Sequence, residues 1–200
     1  MYLTQFVINH SHIASQWISN PYRVHQRLMM AYENESRLLF RIEITPQRSC
    51  ILVQSSILPE WHTAFNDLPV LAGEPEYKNL ELNVKNGAML RFRLVANPVV
   101  THNGKRLGLL RENEQFQWLK RKLTEGGAEI FNCTIVCDGF QRSHKGEAKD
   151  PREQVHFSVQ YDGTLKIVNA DQFLQTLKNG IGPAKGYGFG LLSVARFQAI

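Results

Sequence analysis

The sequence predicts an α+β protein of two tandem ferredoxin-like (RRM-like) domains with antiparallel sheets, spanning 1–86 and 87–200. Three observations carry this expectation. The segments of the first half read strand, helix, strand, strand, helix, strand, the order of the ferredoxin-like unit. The same order recurs in the second half without residue-level similarity between the halves, with the join near Lys85 to Ala88. Finally, 200 residues with 43% hydrophobic content suffice for two small cores, and this composition excludes a disordered chain.

Each element follows from its local pattern. "YLTQFVI" alternates apolar and polar residues, which marks a half-buried strand, and the following "NHSHIAS" reads as polar loop. In "SNPYRVHQRLMMAYE", Asn20 is the expected N-cap and Pro21 the first helical residue, where its missing N–H costs nothing. Val24, Leu28 and Ala31 then recur at helical spacing. "RLLFRIEI" and "SCILVQSS" are strands joined by the turn-like "TPQR" as a hairpin. "PEWHTAFNDL" predicts a short helix, "AGEPEYKN" a loop and "LELNV" the closing strand. In the second half "AMLRFRLVAN" is a strand and "NEQFQWLKRKLTEGG" a helix ended by glycines. "AEIFNCTIVC" and "EQVHFSVQYDGTLKIVN" supply strands, "ADQFLQTLKNG" is a helix and "GLLSVARF" closes the sheet.

Bulk properties narrow the function classes modestly. A formal charge of +5 and a pI near 9.2 suit an anionic partner such as nucleic acid without requiring one. The N-terminal segment lacks the features of a secretory leader, and no apolar run approaches the length of a membrane span, so a soluble cytoplasmic protein is expected. Cys50, Cys133 and Cys137 include no C-x-x-C pair and predict buried thiols in strands rather than a disulfide framework or zinc knuckle. Histidines and carboxylates form no recognisable metal-ligand spacing; His10 and His12 stand as a loop pair, and neither metal nor cofactor is expected.

Three stretches could carry chemistry. "NGIGPAKGYGFG" concentrates Gly180, Gly182, Gly186, Gly188 and Gly190 around Lys185. A Walker-type phosphate loop would need Ser or Thr after the lysine and a helix to follow, whereas here Gly186 and Tyr187 follow and a strand comes next. "KGYGF" matches the start of the RNA-recognition signature, but that signature belongs on an inner strand, and here Gly-Ile-Gly-Pro precedes it and breaks regular pairing. What remains is a loop that admits a close neighbour, either another protein element or a phosphate chain facing Lys185.

The helix around "NPYRVHQRLMMAY" places Tyr22, His25 and Gln26 on one side, with Arg23 and Arg27 beside them. An imidazole, a phenol and a guanidinium can cleave RNA without metal, because the substrate carries its own nucleophile in the 2′-hydroxyl. An ordinary surface helix with an exposed histidine has the same pattern. Basic residues also gather in "RFR" at 91–93, in "NGKRLGLLR" with Lys105 and Arg106, and in "DGFQRSHKGEAKDPREQ". The last places Arg142, Lys145, Lys149 and Arg152 near a hairpin tip, where nearby acids bring the net charge close to zero.

Taken together, these segments resemble the CRISPR repeat-processing endoribonucleases of the type I-E Cascade complex, the CasE family. The resemblance spans the whole chain and rests on "NPYRVHQRLMMAY", "LRFRLVANPVVTHNGKRLGLL", "WLKRKLTEGGAEI" and "GIGPAKGYGFGLLSV". It implies a metal-independent enzyme that binds the stem-loop of a CRISPR repeat, cuts at its 3′ base and stays on the product within Cascade, and that is a monomer when isolated. His25 falls on the family's catalytic histidine and Tyr22 on its accompanying tyrosine. Arg142, Lys145, Lys149 and Arg152 would enter the RNA major groove near the stem end, and Arg23, Arg27, Lys105, Arg106 and Lys185 would meet RNA elsewhere. Met30 stands where some members carry a lysine, so the transition-state charge would fall to Arg23, Arg27 or Lys185. The same substitution supports a competing expectation, an RNA-binding structural subunit without activity.

Overall fold

The computed structural model describes residues 1–33, 38–145 and 152–197. It contains two four-stranded antiparallel sheets, each with the strand order of the ferredoxin-like fold. In the first, β1 (Tyr2–Ile8) is central, pairing with β3 (Ser49–Ser55) on one side and β4 (Glu76–Asn79) on the other, and β2 (Leu39–Ile44) pairs outside β3. In the second, β5 (Met89–Ala96) lies between β9 (Arg152–Ile167) and β10 (Leu192–Arg196), and β8 (Ala128–Lys145) pairs outside β9. Two compact units emerge. One is Met1–Glu81 with Lys185–Gly188 and the described part of Arg142–Val155; the other is Leu82–Gln141, His156–Ala184 and the described residues from Phe189.

Strand alternation builds the first core. Phe6 and Ile8 of β1 and Ile51 and Val53 of β3 point to the same side and are almost wholly buried. Against them pack α1 (His12–Ile18), α2 (Pro21–Met29) and α3 (Trp61–Phe65), which contribute Ala14, Trp17, Val24, Leu28, Trp61 and Ala64. Burial of a side chain such as Phe6 is worth about 1.5–3 kcal/mol, and its ring also meets Trp61 edge-on at 4.6 Å.

In the second unit α4 (Glu112–Glu125) buries Trp118, Leu119 and Leu123, and α5 (Ala170–Asn179) buries Phe173 and Leu177, over Phe92, Leu94, Tyr161 and Leu165 of the sheet. The Asn169 side chain accepts from Gln172 N at 3.1 Å and so caps α5.

Four sequence expectations change. The segment read as loop after β1 holds α1: Ser11 Oγ accepts from Ala14 N at 3.1 Å, and Ala14, Trp17 and Ile18 face the core at helical spacing. The closing strand of the first sheet is β4, in residues read as loop, and not "LELNV". All four β4 residues are exposed at a sheet edge, so they leave no alternating apolar trace, while Leu82 and Val84 of "LELNV" pack on the second core instead. A further hairpin, β6 (Val99–His102) with β7 (Lys105–Gly108), follows β5. Its turn residues Asn103 and Gly104 both have positive φ, the Asn-Gly signal of a two-residue hairpin. Of the three thiols only Cys50 is buried; Cys133 is half-buried and Cys137 exposed, because β8 lies at a sheet edge. No helix among the described residues is long and apolar enough to cross a membrane.

Candidate active site

Helix α2 begins as the sequence predicts but is fixed differently. Asn20 marks its start, its carbonyl accepting from Arg23 N at 2.9 Å and Val24 N at 3.2 Å. Its side chain makes no cap. The planar amide instead pairs with the main chain of His144 on β8, donating from Nδ2 to the carbonyl at 3.2 Å and accepting from the amide N at 3.4 Å. A peptide group offers one donor and one acceptor side by side, which a primary amide matches, and this pairing replaces the expected side-chain cap. The start of α2 is thereby tied to the end of β8 within the first unit.

Val24 and Leu28 turn into the core, which directs Tyr22 and His25 to the opposite, partly open side. His25 lies beside the buried ring of Phe40, with centroids 6.0 Å apart. The turn Lys185–Tyr187, a single 3₁₀ turn, packs on the same helix. A Cβ placed on Gly186 would sit 3.7 Å from Cε1, Nδ1 and Nε2 of His25 alike, so the glycine backbone covers one face of the imidazole. Burial between these neighbours pushes the His25 imidazole below its ordinary value of 6.5. At neutral pH the ring is therefore uncharged, with one nitrogen able to accept a proton and the other able to donate a hydrogen bond.

Tyr22 meets Tyr187 in a stacked arrangement, centroids 5.7 Å apart and planes 29° from parallel. The Lys145 ammonium stands 5.6 Å from the Tyr22 ring centroid, within cation–π range. Partial burial and the neighbouring Tyr22 push the Tyr187 phenol upward, so its hydroxyl stays protonated.

The expected cations divide. Arg23 is exposed. Arg27 is mostly buried, its Nη2 donating to Asp67 Oδ1 at 2.7 Å and its Nη1 meeting Met30 Sδ at 3.5 Å. Met30 is 50% exposed beside it. Lys185 is half-buried in the turn that touches α2. On the hairpin, Arg142 pairs with Glu153 at 2.8 Å and Lys145 is exposed. Lys149 and the Arg152 side chain lie outside the described residues. Lys105 and Arg106 are exposed on β7 and belong to the second unit.

The glycines also divide. Gly180, Gly182, Gly188 and Gly190 have positive φ, whereas Gly186 does not. A Cβ on Gly182 would approach the Trp118 ring to 3.0 Å, and one on Gly190 would approach Ile181 O to 2.6 Å. Close approach of protein to protein thus explains these two. Sequence reasoning missed Tyr187 and Phe40. Tyr187 had a usable signal, as the aromatic position of "KGYGF", whereas Phe40 reads only as one more apolar strand residue.

A family model described as CRISPR associated protein matches residues 1–196. The CRISPR-associated endoribonuclease Cse3 of Thermus thermophilus is 36% identical over 217 residues, covering 98% of this chain and 100% of the relative. The CRISPR system Cascade subunit CasE of Escherichia coli K12 is 32% identical over 214 residues, covering 98% and 99%. A solved structure of Cse3 bound to a 19 nt RNA superimposes with a TM-score of 0.86 at 32% identity, covering 98% and 100% of the two chains. With a family match over nearly its whole length and two relatives of equal extent, this chain belongs to the CRISPR-associated proteins, in the group of CasE and Cse3.

Proposed function

We propose that this protein is a metal-independent endoribonuclease that binds the CRISPR repeat stem-loop and cleaves precursor CRISPR RNA at the 3′ base of the stem. It then remains on the guide RNA in the cytoplasm as a subunit of a Cascade complex. The observation that carries this reading is a half-enclosed imidazole at His25, flanked by Phe40 and covered by Gly186, one helical turn from Tyr22, in a chain 36% identical to an endoribonuclease over 98% of its length. In this reading residues 1–86 form the domain that bears the catalytic helix and 87–200 the domain that bears the RNA-binding hairpin and glycine-rich loop, of which Lys185–Gly188 and the described part of Arg142–Val155 pack with the first compact unit.

The chemistry requires only the substrate and side chains. The 2′-oxygen attacks the adjacent phosphorus, the bond from phosphorus to the 5′-oxygen breaks, one proton leaves the 2′-hydroxyl and one joins the departing oxygen. His25 performs one of these two transfers, and its uncharged state at neutral pH favours the role of base. Tyr22 orients the phosphate. With Arg27 held by Asp67, the growing negative charge falls to Arg23 or Lys185. Incubation with a repeat stem-loop in EDTA is expected to yield a shortened RNA with a 2′,3′-cyclic phosphate and a matching 5′-hydroxyl fragment. Uncut RNA would leave the second reading, an RNA-binding subunit without activity, which Met30 and the occupied Arg27 favour.

Binding and cutting are separable on the hairpin. Lys145 is exposed and paired with no carboxylate among the described residues, whereas the Arg142 guanidinium is shared with Glu153. Lys145→Gln is expected to weaken stem-loop affinity and to lower the slope of log K against log salt by about 1, the release expected from one phosphate contact. Arg142→Gln should lower it less. Binding titrations over a range of salt concentrations check both.

A further inference from the structure

Four of the five terminal glycines have positive φ, which favours glycine; Gly186 does not share that reason. What distinguishes position 186 is its neighbour: a Cβ there would lie 3.7 Å from the face of the His25 ring, ordinary contact for a methyl group, so a branched side chain is what would press on the imidazole. The next residue, Tyr187, stacks on Tyr22. Tyr22 and His25 are three apart on α2 and so are neighbours on one face, and consecutive residues of one short turn reach both. Gly188 completes the arrangement: a Cβ there would lie 3.3 Å from Phe40, the ring that flanks His25.

We infer that the turn Lys185–Tyr187 is the positioning element of the catalytic pair, with Gly186 setting the plane of the His25 imidazole and Tyr187 holding the Tyr22 ring. The inference rests on the ribonuclease reading of His25 and Tyr22 given above. It assigns the glycine-rich segment a role beyond contact with RNA: the segment decides where two side chains of a distant helix point. Tyr187 holds Tyr22 through its ring, since the observed contact between the two is a stack.

The test compares Tyr187→Ala, Tyr187→Phe and Gly186→Val with wild type and His25→Ala, using a repeat stem-loop. Single-turnover cleavage at saturating protein, the dissociation constant and the thermal midpoint are measured for each. Tyr187→Ala is expected to cleave about 10- to 100-fold more slowly, the usual consequence of displacing a reacting group by about 1 Å, with affinity within a few-fold of wild type. Tyr187→Phe should restore most of the rate. Gly186→Val should also slow cleavage without loss of affinity, and should move the pH inflection of the rate further down, because added carbon against the ring desolvates it. A wild-type rate in Tyr187→Ala, a loss confined to affinity, or a Tyr187→Phe variant as slow as the alanine variant would each overturn the inference. Wild-type cleavage by His25→Ala would instead overturn the ribonuclease reading beneath it.

Discussion

His25→Ala is expected to lower the single-turnover cleavage of a repeat stem-loop by about 10²–10⁴-fold, the contribution of one positioned acid or base. Stem-loop affinity should stay within a few-fold, because the cations proposed to meet phosphate lie on other residues and the imidazole is uncharged at neutral pH. The fold should persist as well. The core face of α2 is made by Val24 and Leu28, and Phe40 is buried chiefly among neighbours other than the histidine, so removal of the ring opens a partly exposed site rather than a core cavity. Rate and affinity measured on the same protein preparation separate these effects.

Gly190→Ala is expected to cost substantial stability. At φ +90° an alanine is strained by about 1–2 kcal/mol, and its Cβ would stand 2.6 Å from the carbonyl oxygen of Ile181, a backbone atom that cannot swing aside. Two backbone bonds hold this region: Ile181 N donates to Gly190 O at 2.9 Å, and Gly190 N donates to Val95 O at 2.8 Å. Relief of the overlap must loosen one of these bonds and shift the buried Ile181 and Leu191 side chains. A loss of about 2–4 kcal/mol follows from strain and overpacking together, readable as a lower midpoint in urea. Gly186→Ala is the contrasting case, with ordinary contact and no positive φ, and should leave the midpoint near wild type.

The legible part of the fold was the part written in burial. Strands such as "YLTQFVI" and "RLLFRIEI", and helices with periodic apolar faces, appear where the alternation places them. The reading failed where structure is not specified by a core face. β4 pairs with β1 through backbone bonds while all its side chains meet solvent, and "LELNV" alternates because it covers the second core without pairing. Helix α1 hid behind two histidines and two serines, although Ser11 was an available cap. At the candidate site, the face that brings Tyr22 and His25 together was readable from helical spacing alone. The turn that covers them was not, because contact between Gly186 and His25 joins residues 161 positions apart in sequence (186 − 25), and no local pattern encodes such a meeting. The engagement of Arg27 by Asp67 was hidden for the same reason.

Proton transfer by His25 is the central step of the proposed cleavage, and the dependence of single-turnover cleavage on pH tests it most directly. Burial holds the imidazole below 6.5, so the inflection in wild type should lie below that value. If the ring takes a proton, its uncharged form is the active one, and the rate rises with pH through the inflection and levels off above it. If the ring gives a proton, the rate falls with pH instead. In either case the limb should be absent from His25→Ala. An inflection that survives unchanged in that variant, or a variant that cleaves as fast as wild type, would contradict the account.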